Sequence, residues 1–99
     1  LELDPYVIDT LLPDLVGHDR KPAALLVYLV LWRRSDDSPD GWTRIALREL
    51  AEGTGLSKRS VQAAIQRLAR RKLVSVRRAS ITSVGEYRVE RPWRREDTS

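Results

Sequence analysis

Arg59, Gln62, Ala63, Gln66 and Arg70 recur at helical spacing within the segment 58–71. Stepping about 100° per residue from Val61 places Ala64, Ile65 and Leu68 within roughly 60° of it, so these four form the buried side. The five polar or small residues then share the opposite side, with Arg67 beside them. Such a face has the chemistry of nucleobase readout. Arg bridges guanine O6 and N7, Gln bridges adenine N6 and N7, and a small Ala permits close approach or touches a thymine methyl. Ser57, Lys58, Ser60, Arg67, Arg71 and Lys72 flank that row with groups suited to phosphate oxygens. No acid occurs between Ser57 and Arg78, so no fixed negative charge in this stretch repels a polyanion. Arg77, Arg78 and Arg88 continue the same sign beyond the helix. Ile81, Thr82, Ser83 and Val84 between them carry no cation, which makes these arginines the expected flanking or minor-groove contacts.

The elements that would position these side chains follow from local pattern. Ser57 is an N-cap for a helix over 58–71. Leu47, Leu50 and Ala51 predict a short helix over 47–52, stopped by Gly53-Thr54-Gly55, with Gly55 needing positive φ and Ala51 small enough for the two helices to cross closely. Ala46 stands where a capping side chain is expected opposite Glu49; Ala cannot accept that bond, so either the helix starts raggedly or Thr43 substitutes. Residues 73–78 and 86–90 alternate as strands joined by a loop over 80–85, a β-hairpin, and Trp42–Ile45 predicts a short strand. Upstream, Pro22 in a first turn and Arg33 and Arg34 in the last predict a helix over 21–34. It is apolar nearly all round and must be covered on several sides, in the domain centre or at a subunit interface. Tyr6, Val7, Leu11 and Leu12 predict a helix from Pro5 to Leu12, ended by Pro13, with a turn at Gly17.

The chain has 99 residues, 41% of them hydrophobic, enough for one domain with one core. It has no cysteine, which removes disulfides, thiol nucleophiles and Cys-ligated metal centres together. The net charge of +4 conceals an uneven distribution. Residues 1–40 hold four basic and eight acidic groups, whereas residues 41–95 hold fourteen basic and four acidic ones. A +10 segment of that kind points to a polyanion, and the acidic first forty residues are the part expected to stay away from it. Fifteen of the eighteen cations are Arg, the side chain suited to bidentate contact with phosphate and guanine. The longest charge-free apolar run, Ala23–Trp32, has ten residues, about half the roughly 20 that a membrane span needs. No secretory leader opens the sequence, and a cytoplasmic location is expected.

The run Leu50-Ala51-Glu52-Gly53-Thr54-Gly55-Leu56-Ser57-Lys58-Arg59-Ser60-Val61-Gln62-Ala63-Ala64-Ile65-Gln66-Arg67-Leu68, followed by Lys72-Leu73-Val74, resembles the motif of bacterial winged helix-turn-helix regulators of the MarR and GntR kind. Replication initiators of plasmids and phages share it. The resemblance covers residues 42–90 and implies a mainly α fold with a small β-hairpin. It further implies a recognition helix over 58–71 that enters the major groove of double-stranded DNA, and a wing over 73–90. On its own a basic helix face is usually a solvated surface; the setting of turn, helix and hairpin favours nucleic acid. The expected organisation is an N-terminal helical arm (1–20), the DNA-binding domain (21–91) and a polar tail (92–99). A transcriptional regulator is the leading reading, with a replication-initiator or partition module and a protein-interaction winged helix as alternatives. A homodimer through the arm and helix 21–34 is expected, with half-sites about 10 base pairs apart or a multiple of that.

Other constellations carry less. Asp36, Ser38 and Asp40 with Gly41 open like a calcium loop, but the twelfth position is Leu47 where a bidentate Glu is needed. His18, the single histidine, lies beside Asp19 and predicts a surface or capping role. Gly53 and Gly55 are not followed by the Lys and Ser or Thr of a phosphate loop. No catalytic residue, metal site or cofactor is expected. Trp32, Trp42 and Trp93 are expected to pack around the first long helix and the sheet.

Overall fold

The computed structural model describes residues 2–77 and 84–94. An N-terminal arm precedes α1 (Pro22–Ser35), β1 (Trp42–Ala46), α2 (Leu47–Thr54), α3 (Lys58–Arg70), β2 (Val74–Arg77) and β3 (Val84–Val89). Three helices and a small antiparallel sheet, whose first strand comes between α1 and α2, form a winged helix-turn-helix, as the sequence pattern implied. Arg78, expected on the first strand of the hairpin, and the cation-free residues 81–83 of its expected tip lie outside the described residues.

Two expectations about the arm are corrected. Pro13 does not end the helical winding and Gly17 is not a turn. Two wide helical segments, Val7–Leu11 and Pro13–His18, follow one another. Their bonds span five residues, as in Leu12 N–H to Val7 O and Asp19 N–H to Asp14 O. Pro13 occupies the first position of the second segment with the φ that a proline ring supplies, and is joined to the first through Leu12, itself helical at φ −60° and ψ −56°. The arm buries Val7, Leu11 and Leu15 in the same core as Tyr28, Leu31 and Trp32 of α1, Leu50 of α2 and Leu68 of α3. α1 is thus the central helix, covered by the arm, both following helices and the sheet. Its Tyr28 hydroxyl donates to the Glu90 carbonyl at 2.8 Å, and Trp32 Nε1–H donates to the Glu2 carbonyl at 3.1 Å. Burial raises the Tyr28 pKa above its ordinary value, so this donor stays protonated.

The hairpin is part of a larger sheet. β1 pairs antiparallel with β3, giving the order β1-β3-β2 with Trp42 opposite Arg88 and Ala46 opposite Val84. Partnering Ile45 and Ala46 draws β3 two residues earlier than its alternation showed, to Val84. Helix α2 also runs past its expected stop, through Gly53 to Thr54, whose hydroxyl donates to the Leu50 carbonyl at 2.7 Å. Gly55 then ends the helix at φ 79°, the left-handed conformation that the sequence required of it. At the start of α2 only half a capping box forms, Ala46 N–H donating to Glu49 Oε1 at 3.3 Å. Thr43 does not replace the missing cap, because it is buried in β1 opposite Tyr87.

Trp93 and Arg94 dock on the arm. Trp93 stacks between Tyr6 (centroids 4.6 Å apart) and Trp32 (6.3 Å). Trp93 Nε1–H and the Arg94 guanidinium both donate to the Asp4 carboxylate. The Arg94 bonds, followed by the Trp93 bond, hold the Asp4 pKa down at about 2.

Candidate nucleic-acid interface

Helix α3 begins where Ser57 Oγ accepts the Ser60 N–H at 3.1 Å. Its buried side is Val61, Ala64, Ile65 and Leu68, and this anchored stripe fixes how the helix is rotated on the core. Arg59, Gln62, Ala63, Gln66 and Arg70 are all exposed in consequence. Arg59 and Arg70 form no salt bridge among the described residues, and neither do Lys58, Arg67 and Lys72.

The remaining cations differ. Arg71, read from the sequence as a phosphate contact, turns the other way. Its guanidinium donates to Asp19 Oδ2 at 2.7 Å and to Asp14 Oδ2, clamping the end of α3 to the arm. The physical reason is non-local, since both carboxylates lie more than fifty residues earlier in the chain. A hydrogen bond with His18, and then Arg71, holds the Asp19 carboxyl below its ordinary pKa against the opposing effect of burial. Asp14, His18 and Asp19 bring ligand atoms within 4.8 Å of one another, but the two carboxylates already have the Arg71 cation. His18 itself is 83% exposed at its side chain and lies 3.2 Å from Asp19 Oδ1, the surface role expected of it.

Lys72 follows with φ 61°, an unusual value for a residue with a Cβ. It sits in a left-handed helix terminus in which Lys72 N–H bonds the Ala69 carbonyl and Leu73 N–H bonds the Leu68 carbonyl. Leu68 and Leu73 are both buried there, so packing holds the chain in the turn. The lysine side chain is left exposed beside the C-terminal end of α3.

On the sheet, Arg77 and Arg88 lie against the Trp42 ring, at 4.0 and 5.0 Å from its centroid. Arg77 Nε–H also donates to Glu86 at 2.7 Å and Arg88 Nε–H to Glu90 at 2.9 Å. These two wing cations are therefore oriented in advance but partly neutralised. Trp42, expected as a packing residue, serves as the plate on which they lie.

Three exposed cations were left unassigned by the sequence pattern. Arg44 points outward from β1, as the alternation of Thr43 and Ile45 inward demands. Arg48, in the first turn of α2, lines a cleft of about 370 Å³ with Ala46, Leu47 and Lys58. Lys21, at the N-cap of α1, borders another with Ala63, Gln66, Arg67 and Arg70. Arg44 and Arg48 were legible as arginines on outward positions of β1 and α2. Lys21 was not, because its neighbours are some forty residues further along the chain.

A third cleft, about 140 Å³, separates Gln62 and Gln66 from Val76, Gly85 and Tyr87 of the wing. Helix α3 is thus a ridge with hollows on both flanks, a shape that suits a groove bounded by two phosphate backbones. No helix among the described residues is long and apolar enough to cross a membrane. A family model described as a helix-turn-helix domain matches residues 21–74, a little over half of the chain. No curated protein and no solved structure matches it.

Proposed function

The chain belongs to the helix-turn-helix domain family, and from that premise we propose that it binds double-stranded DNA sequence-specifically as a transcriptional regulator. In this reading α3 enters the major groove, with Arg59, Gln62, Ala63, Gln66 and Arg70 turned to the base edges. Ser57, Lys58, Ser60, Arg67 and Lys72 hold phosphates on either side, joined by Arg44 and Arg48. Arg77 and Arg88, held against the Trp42 ring, flank the groove as the wing. The observation that carries the reading is the placement of unneutralised charge. Acids of the arm occupy Arg71 and Arg94, and acids of the sheet occupy Arg77 and Arg88, while Arg59 and Arg70 on the outward side of α3 are left without a carboxylate.

Pairing of two copies through the arm and α1 belongs to the same proposal. Ile8, Leu12 and Val16 recur every four residues along the outer side of the arm and remain 50, 37 and 37% exposed. Leu26 of α1 is 42% exposed. Selection of bound sequences from a random duplex pool tests the whole reading. It should return a defined site, with two half-sites about 10 base pairs apart if the protein pairs. Arg59→Ala and Gln62→Ala should each then cost about 1–3 kcal/mol on the selected site and relax the preference at one position. Unchanged affinity in both variants would remove the readout face from α3.

A further inference from the structure

The acidic first forty residues are the part that charge alone keeps away from DNA, yet one of their few cations stands at the end of the recognition helix. Lys21, Ala63, Gln66, Arg67 and Arg70 line one cleft of about 120 Å³. No carboxylate lines it, and Lys21, Arg67 and Arg70 form no salt bridge among the described residues. The nearest acids of the arm, Asp14 and Asp19, are held by Arg71. Three cations are thus gathered by the fold around a hollow that no carboxylate lines, the nearest counter-charge being Asp19, which Arg67 also helps to hold ionised. The volume equals that of about four waters and is well below the 300–1,000 Å³ typical of sites for organic ligands. It is the size of a single phosphate group with its hydration. The cleft opens beside Gln66 and Arg70, on the side of α3 that faces away from the core.

We infer that Lys21, Arg67 and Arg70 form a seat for one backbone phosphate of the bound duplex, so that α1 grips the DNA together with α3. The inference rests on the DNA-binding reading above and changes it at one residue. Arg70 moves from base readout to backbone contact, which leaves sequence choice to the N-terminal part of the helix, Arg59, Gln62 and Ala63. Gln66, which borders this cleft and the one facing the wing, stands at the division.

The test is a salt series of affinity for a random-sequence duplex, because a phosphate seat needs no particular site. Each phosphate neutralised contributes about −0.9 to the slope of log K against log salt. Lys21→Ala should weaken duplex affinity about tenfold by removing one charged contact, and the triple variant with Arg67→Ala and Arg70→Ala, which strips that phosphate of every cation, should make the slope shallower by about 0.9. Lys21→Ala combined with Arg70→Ala should lose no more than that same single contribution, since both serve one phosphate. The loss should be equal on the selected site and on random sequence. Arg34→Ala removes an equal charge from the opposite end of α1, about 20 Å away, and should leave the slope unchanged. An unaltered duplex affinity in Lys21→Ala, or a loss confined to one sequence, overturns the inference while leaving DNA binding intact. If the unaltered protein binds no duplex with a salt-dependent affinity, both readings fall. Titration of inorganic phosphate against the protein alone, followed at the Lys21 amide by NMR, separates the remaining source. Saturation there at submillimolar phosphate would make a free anion the ligand and overturn the duplex assignment.

Discussion

Replacing Arg71 by Ala separates two roles for one side chain with opposite outcomes. From its place beside Lys72 in a basic run, Arg71 would be a phosphate contact. Its loss would then leave stability nearly unchanged and make the salt slope of duplex binding shallower by about 0.9. In the fold, however, its guanidinium joins Asp14 and Asp19, whose side chains are 33% and 8% exposed, while its own is 30% exposed. The Asp14 arm of this clamp is near the surface and contributes about 0.5 kcal/mol. The Asp19 arm is better shielded, and removing its partner leaves a nearly buried carboxylate with only His18 bonded to it, which keeps the loss short of the 3–5 kcal/mol seen in full burial. A value of about 1–2 kcal/mol for that arm brings the total to about 2 kcal/mol. For a chain of this length that loss lowers Tm by about 10 °C, given an unfolding entropy near 2 cal/mol/K per residue. Thermal unfolding followed by circular dichroism measures it, and a salt series on the same variant measures the slope. Combining Arg71→Ala with Asp19→Asn should cost less than the two separate losses together, because both remove one interaction. An unchanged Tm together with a shallower slope would refute the structural role.

Lys72→Gly should stabilise the fold by about 0.5–1 kcal/mol, as a left-handed conformation costs a residue with a Cβ more than glycine loses in entropy. The denaturant midpoint should rise at constant m, while duplex affinity falls alike on all sequences; a lower midpoint would contradict the strain. A Cβ added at Gly85 would meet the Tyr87 hydroxyl at 2.5 Å and its Cζ at 2.8 Å. Gly85→Ala should therefore cost about 1–3 kcal/mol in chemical denaturation, an effect that Gly85→Ala with Tyr87→Leu should largely relieve. The lowered pKa of Asp4 makes its bonds to Trp93 and Arg94 a stabilising contribution that is present above pH 3.8 and disappears as pH falls toward about 2. Asp4→Asn should flatten that limb of the acid unfolding curve and leave the curve at neutral pH free of any new titration.

Helix α3 was legible because its signals are local. An apolar residue at every third or fourth position fixes the buried side, and the readout face is whatever remains opposite. The same holds for Ser57 as a cap and Gly55 as a left-handed terminus, each read from its immediate neighbours. The strand 42–45 was visible, but its pairing with β3 was not, since register is settled by which apolar faces meet over the core. The arm was misread at Pro13 because a proline breaks a continuing helix but fits the first turn of a new one. Nothing in the adjacent residues distinguishes the two cases.

The amino-acid order was sufficient for the type of fold, the elements of the helix-turn-helix and the side of α3 that faces outward, because periodicity and capping act over a few residues. The accounting of charge needed the folded chain. Arg70 and Arg71 are neighbours with equal charge, and the helix turns them about 100° apart. One faces a cleft shared with Lys21, and the other meets Asp14 and Asp19. Whether a cation is free for DNA depends on which acids reach it, and packing across some fifty residues of sequence sets that distance.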